Sequence, residues 1–384
     1  MKHKRLLFAY LRTGGGHIAP AKAVSEYILE KYYETCDIIM SDFFNDIGAY
    51  ELDRELRQSM NVMLKHPVLV KLGHAFISLF PHAVKLWETQ KFKSIVSAAS
   101  TFVAKQKPDI IICTHGFVAF TLEKVRKKYR QNFTLITLGT DPLSSHIFSE
   151  LLQHQDHYIV ASEYPRNRLI RAGISPEKIT LLPFPIDRRF TLQHTPDQKI
   201  STELGVDPTR KTLLVSFGGQ GVGNIEAYIN ALITAERALN VIIVCGRNEV
   251  LRQKISNQFS FGKTGKTNII PLGFVDNMPD LVALSDFCFI KPGPSTTFEN
   301  MIMQKPIIFY ESAAHIEDTQ VKFAQAHGIG HYAGKQVRKF MQAVTYYLDE
   351  DGLKITRDNY RKVNLTNGTE MVGDYICQTA KELQ

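Results

Sequence analysis

Short apolar runs alternate along this chain with longer stretches whose apolar residues recur at helical spacing. That alternation marks β–α–β units and parallel sheets. A strand covered on both faces reads as an unbroken apolar run, whereas its crossover helix shows a single apolar stripe. The runs predict strands at residues 6–11, 36–40, 110–114, 134–137, 158–161 and 179–182. A second series follows at 213–217, 241–245, 268–271, 287–290 and 307–309. Between the series, residues 183–211 carry Pro183, Pro185, Pro196 and Pro208 and no clear period, as a linker does. At 384 residues the chain exceeds one ordinary core and suits two domains of roughly 150–200 residues each. Domains at 1–190 and 191–365 are therefore expected. A final helix at 366–384 is expected to pack back towards the first. Two such sheets in succession face a central cleft, with ligands at the carboxyl ends of the strands.

Charge divides the halves. Residues 1–195 hold 26 Lys and Arg against 18 Asp and Glu, while 196–384 hold 20 of each, so the whole net charge of +8 lies in the first half. A basic half-molecule calls for an anionic partner there, and no nucleic-acid-binding pattern is present to supply one. Residues 54–93 concentrate the signal, with seven basic and two acidic residues, the single tryptophan Trp87, and a helical pattern. Such a stretch suits an anionic membrane surface, and equally a helix pair packed on its own domain. No run reaches the ~18–20 apolar residues of a membrane span. The apolar run after the basic N-terminus is short and ends at Arg12, so it reads as a first strand rather than a leader. The five cysteines are odd in number and lack CxxC spacing, which fits a reducing compartment and no disulfide framework.

Glycine-rich turns after strands carry the chemistry. Thr13-Gly14-Gly15-Gly16-His17 follows the first strand and opens a helix, where N–H groups and the helix dipole favour electron-rich oxygens. His17 there is a candidate base towards a hydroxyl nucleophile, or a helix-start histidine bonded to backbone. Asp141, in Gly139-Thr140-Asp141-Pro142, is a candidate base just past a strand end, or an ordinary turn starter. Gly15, Gly16, His115 and His146 are further candidates for contact with that nucleophile. His154 and His157 lack a third ligand for a metal, and Asp349-Glu350-Asp351 reads as a solvated turn, so no metal site is expected. In the second half, Gly218 and Gly219 sit on a turn that opens a helix. After the strand 287–290 come Gly293, Ser295, Thr296 and Thr297, able to offer N–H and hydroxyl groups to a diphosphate. Glu299 lies within reach of a ribose diol, or supports Ser295 or Thr296 in a capping box.

TGGGHxxPA, the Thr140-Asp141 segment with His146, the run 241–251, the run 269–293 and Glu299 together resemble the GT-B glycosyltransferases of the monogalactosyldiacylglycerol synthase and processive diacylglycerol glucosyltransferase group. That group is related to the peptidoglycan N-acetylglucosaminyltransferase, and the likeness runs from residue 4 to about 330. It implies an α/β architecture of two Rossmann-like domains, the first for a lipid acceptor at the membrane face and the second for a UDP-sugar. It also implies inverting transfer with no metal or other cofactor, on the cytoplasmic face of the membrane, to a diacylglycerol-like or polyprenyl-linked acceptor. The matching donor positions are Gly218, Gly219, Gly246, Arg247, Asn248, Phe274, Val275, Gly293, Thr296 and Glu299. Two departures stand out. Pro294 replaces a glycine and has no N–H for a phosphate. Ile316 stands where the family's glutamine meets sugar hydroxyls, so either Glu317 or Asp318 takes that part, or the donor sugar differs, or catalysis is impaired. A sugar-nucleotide 2-epimerase and a catalytically impaired nucleotide-sugar-binding protein are the alternatives.

Overall fold

The computed structural model describes residues 3–12, 15–55, 90–144, 152–218, 225–259, 265–312 and 315–383. Two compact units result. The first takes residues 1–187 and the last segment, 367–384; the second takes 188–312 and 317–366.

The first unit runs β1 Lys4–Tyr10, α1 Gly15–Lys31, β2 Cys36–Asp42, α2 Phe43–Asp46, α3 Gln90–Gln106, β3 Ile110–Cys113, α4 Gly116–Tyr129, β4 Thr134–Leu138, β5 His157–Val160, α5 Glu163–Arg171 and β6 Ile179–Leu181. Its six strands pair in parallel in the order β2-β1-β3-β4-β5-β6. Successive side chains point to opposite faces of a strand. Leu7, Ile111 and Leu135 therefore face a core shared with α3 and α4. Leu6, Phe8, Ile110, Ile112 and Ile136 face a second core with Val24 and Ile28 of α1. Val372, Ile376 and Cys377 of the closing helix complete that second core.

The second unit runs α6 Gln198–Glu203, β7 Lys211–Ser216, α7 Ile225–Thr234, β8 Leu239–Val244, α8 Glu249–Gln258, β9 Thr267–Leu272, α9 Met278–Leu284, β10 Phe287–Ile290, α10 Pro294–Ile302, β11 Ile307–Phe309, α11 His315–Ala326, β12 Gly330–Tyr332, α12 Val337–Leu348 and α13 Glu350–Val363. α14, Thr369–Glu382, ends the chain in the first unit. The second sheet is also parallel, in the order β12-β11-β10-β7-β8-β9. Leu213, Val215, Val241, Ile243, Phe287 and Phe289 pack there on Tyr228, Phe340 and Tyr347.

Two elements depart from the expected pattern. The linker contains α6, which the Asp197 carboxylate starts by accepting from the Lys199 N–H at 2.9 Å. β12 is three residues long, with Gly330 and His331 giving no apolar run. Strand order reverses between β1 and β3 in one sheet and between β7 and β10 in the other. Each unit thus has one switch point at its strand ends, where ligands of such sheets bind.

Candidate active site

At the first switch point the loop after β1 meets the loop after β3. Thr13, Gly14 and His146 lie outside the described residues. A Cβ on Gly15 or Gly16 would meet nothing within 4 Å, so internal packing does not demand glycine there. His17 sits in the first turn of α1, with Nδ1 2.7 Å from the Thr114 carbonyl oxygen. A carbonyl only accepts, so Nδ1 carries the proton, and the basic nitrogen of the neutral ring is Nε2. Thr140 Oγ1 lies 2.9 Å from the same Nδ1 and 3.4 Å from the Thr114 carbonyl, which holds the ring in that tautomer. His115 stands edge-on to His17, ring centroids 4.7 Å apart. It is the N-cap of α4, the Phe117 N–H donating to its Nδ1 at 3.2 Å, so its own proton resides on Nε2.

His17 and Asp141, far apart in sequence, line one small cavity of about 30 Å³ with Thr114, Thr140 and Ser144. The Thr114 hydroxyl is buried without a hydrogen-bond partner. His157, by contrast, turns to α14, where its Nδ1 meets the Tyr375 hydroxyl at 2.9 Å. Among the described residues no three or more His, Cys, Asp or Glu side chains gather as a metal site would require. The Asp349 carboxylate caps α13, and Glu350 pairs with Lys211.

At the second switch point Gly218 turns the chain after β7 at φ +81°, a left-handed conformation that favours glycine. Gly219 lies outside the described residues. After β10, Gly293 is the N-cap of α10 and Pro294 its first residue. Proline's fixed φ suits that position, so it costs the site one donor while defining the helix start. The Thr297 N–H bonds the Gly293 carbonyl at 2.9 Å, so of the two donors expected from Thr297 only the hydroxyl is left for a ligand. Ser295 and Thr296 hold the first-turn positions whose N–H groups the helix does not use. The hydroxyls of Ser295 (8% exposed) and Thr297 (0%) are buried with no partner. Because Gly293 has no side chain to cap with, Glu299 is not part of a capping box; it lies half-buried on α10.

On the other side of β7, Gly246 turns at φ +59° after β8, and Asn248 caps α8 by accepting from the Leu251 N–H at 3.0 Å. Phe274 is 64% exposed, the Arg247 guanidinium lies 5.2 Å from its ring centre, and Val275 beside it is half-buried. Asp318 accepts from the Ser312 hydroxyl. Glu317 is half-buried at the start of α11.

Two residues escaped the sequence reading. Gln320 of α11 is fully buried with neither amide atom partnered. It lies one turn beyond Ile316 on the same helix, and that spacing was the available signal. Lys291, which directly follows β10, is half-buried; burial pushes its ammonium below the usual range, against the pull of Glu317 and Glu311.

Two family models match the chain, monogalactosyldiacylglycerol (MGDG) synthase over residues 17–186 and the glycosyltransferase family 28 C-terminal domain over 213–360. The chain is a GT-B glycosyltransferase. This transferase is 24% identical to the processive diacylglycerol beta-glucosyltransferase of Bacillus licheniformis, over 96% of this chain and 94% of that one. It is 27% identical to the chloroplastic monogalactosyldiacylglycerol synthase of Spinacia oleracea over 86% of its length, and spans 63% of the spinach protein. Among solved structures it resembles MurG of Acinetobacter baumannii, at 14% identity and TM-score 0.63 over 98% of this chain and 99% of that one. It also resembles HepE of Anabaena in complex with UDP, at 16% identity and TM-score 0.54 over the whole of both chains. Both likenesses establish the fold.

Proposed function

We propose that this transferase moves a hexose from a UDP-sugar to the hydroxyl of a diacylglycerol-type lipid at a membrane surface, with inversion and without a metal. The first unit holds the acceptor and the second the donor. The acceptor hydroxyl passes its proton to His17 Nε2 as its oxygen attacks the anomeric carbon. The bond from that carbon to the diphosphate breaks on the opposite face, and UDP leaves with the electron pair. Asp141, on the cavity shared with His17, stabilises the imidazolium. The departing charge is received by the N–H groups of Ser295 and Thr296, the Ser295 and Thr297 hydroxyls and the positive end of α10. Glu299 takes the ribose, Phe274 and Arg247 the base, and Gln320, with Glu317, the sugar hydroxyls left unread by Ile316.

The observation that carries this reading is the pair of buried, unpartnered hydroxyls at the start of α10, because buried polar groups are otherwise satisfied. The diacylglycerol relatives support the acceptor, and the UDP-bound HepE supports the nucleotide. For the membrane, Lys93 of α3 and Lys124, Lys127 and Lys128 of α4 surround a groove floored by Phe92 and Val96. Apart from the buried Glu123, neither helix carries an acidic residue. Such a surface suits anionic headgroups. Residues 56–89, the bulk of the basic stretch, lie outside the described residues, within which no helix is long and apolar enough to cross a membrane. The test is incubation with UDP-glucose, UDP-galactose and UDP-N-acetylglucosamine, each with diacylglycerol vesicles and a chelator, read by mass spectrometry. A monoglycosylated lipid from at least one donor is expected, and its absence with all three would end the proposal.

A further inference from the structure

The cysteine count gave no reason to expect a bridge, yet the fold brings two sulfurs from opposite ends of the chain together. Cys36 opens β2 and Cys377 lies on α14, with their Sγ atoms 3.9 Å apart. Both are buried, at 4% and 1% exposure. The approach is held from several sides. Asp374 Oδ1 accepts from the Tyr27 hydroxyl at 2.7 Å, the Tyr32 hydroxyl at 2.8 Å and Lys31 Nζ at 3.0 Å. Tyr375 meets His157 at 2.9 Å, and the Thr180 hydroxyl donates to it at 3.0 Å. Gly373 lets α14 lie close on α1, since a Cβ there would stand 2.4 Å from Tyr27 Cδ1.

We propose that Cys36 and Cys377 form a reversible disulfide site that staples the C-terminal helix to β2 on exposure to a low-molecular-weight disulfide. This inference stands apart from the glycosyltransfer reading. The Cys36 thiolate attacks one sulfur of the small disulfide and displaces a thiolate, leaving a mixed disulfide. Cys377 then passes its proton to the displaced small thiolate and, as a thiolate, attacks Cys36 Sγ, releasing the second small thiolate. Two protein thiols are oxidised and one small disulfide is reduced to two thiols. Cys36 suits the attacking part: a hydrogen bond from Cys377 holds its thiol below the usual range, helped by Thr35 and Lys381, while the same pairing and burial push Cys377 upwards. Burial instead pushes the thiols of Cys113, Cys245 and Cys288 upwards, to about 11 for Cys245 and about 12 for Cys288. These three serve as internal controls. A terminal helix lifts locally more readily than a core element, which admits the oxidant. A bond length of ~2.05 Å then requires side-chain rotation to close the gap.

The experiment treats the full chain with oxidised glutathione, alkylates it in denaturant and weighs it intact. Two of the five thiols are expected to be lost, with peptides containing Cys36 and Cys377 linked, and dithiothreitol is expected to restore both. The thermal midpoint should rise by about 5 °C or more on oxidation, because the closed loop is long. Cys377→Ser should show no such rise and should stop at a glutathione adduct on Cys36. Five alkylated thiols in the oxidised wild type would overturn the proposal. So would a glutathione adduct on Cys36 that leaves Cys377 free.

Discussion

Replacing Ser295 with alanine removes one oxygen that has no hydrogen-bond partner in the unliganded protein and is proposed to meet the nucleotide. Ser295 Oγ is buried, 8% of the residue being exposed, and has no hydrogen-bond partner. An unsatisfied buried hydroxyl costs about 1–3 kcal/mol. Ser295→Ala should therefore stabilise the unliganded second unit by about 1 kcal/mol, a rise in melting temperature of about 2–4 °C for a unit of this size. On the proposed function the same hydroxyl would donate to a charged phosphate oxygen of bound UDP, an interaction of about 1.5–3 kcal/mol, so affinity should fall about 10- to 150-fold. Thermal unfolding without nucleotide and calorimetric titration with UDP measure the two effects separately. Opposite signs are the signature of a ligand-facing hydroxyl. An affinity within about twofold of wild type, or a melting temperature lowered by more than about 2 °C, would refute the assignment.

His17→Ala should slow sugar transfer by about 10²- to 10⁴-fold while UDP affinity measured by titration stays put; a normal rate would reduce His17 to a structural part. Burial holds the His331 imidazole below its usual range in the folded protein, its Nδ1 2.8 Å from the Tyr347 hydroxyl. The unfolded chain therefore takes up a proton first, so His331's share of stability is complete above about pH 6.5 and is lost as pH falls below it. His331→Gln should accordingly shrink the drop in melting temperature between pH 7.5 and pH 5, and an undiminished drop would contradict this. Changing Lys124, Lys127 and Lys128 together to Gln should abolish flotation with anionic vesicles at low salt, and retained, salt-insensitive flotation would remove the groove from the membrane contact.

The alternation of apolar runs made the two parallel sheets legible, because strands such as β1 and β8 are buried on both faces over the unbroken apolar runs 6–10 and 241–244. β12 stayed hidden because Gly330-His331-Tyr332 carries no such run. Gly218, Gly293 and His17 were legible from strand–glycine–helix order, whereas the tautomer of His17 depends on a carbonyl at Thr114 that no local pattern announces. That the Thr297 N–H is spent and only its hydroxyl is left was hidden because helix register decides whose N–H is used, and the N-cap proved to be Gly293. Spacing from Ile316 marked Gln320, but its burial without a partner, like the Cys36–Cys377 approach, depends on tertiary placement.

The central claim is transfer from a nucleotide sugar to a neutral lipid hydroxyl. Its most direct test is anomer-resolved analysis, by nuclear magnetic resonance, of the lipid formed from a UDP-α-hexose and diacylglycerol with chelator present throughout. A β-linked glycosyl-diacylglycerol that forms in step with UDP release is expected. An α-linked product, a strict need for added divalent metal, or consumption of the UDP-sugar without any glycosylated lipid would contradict it.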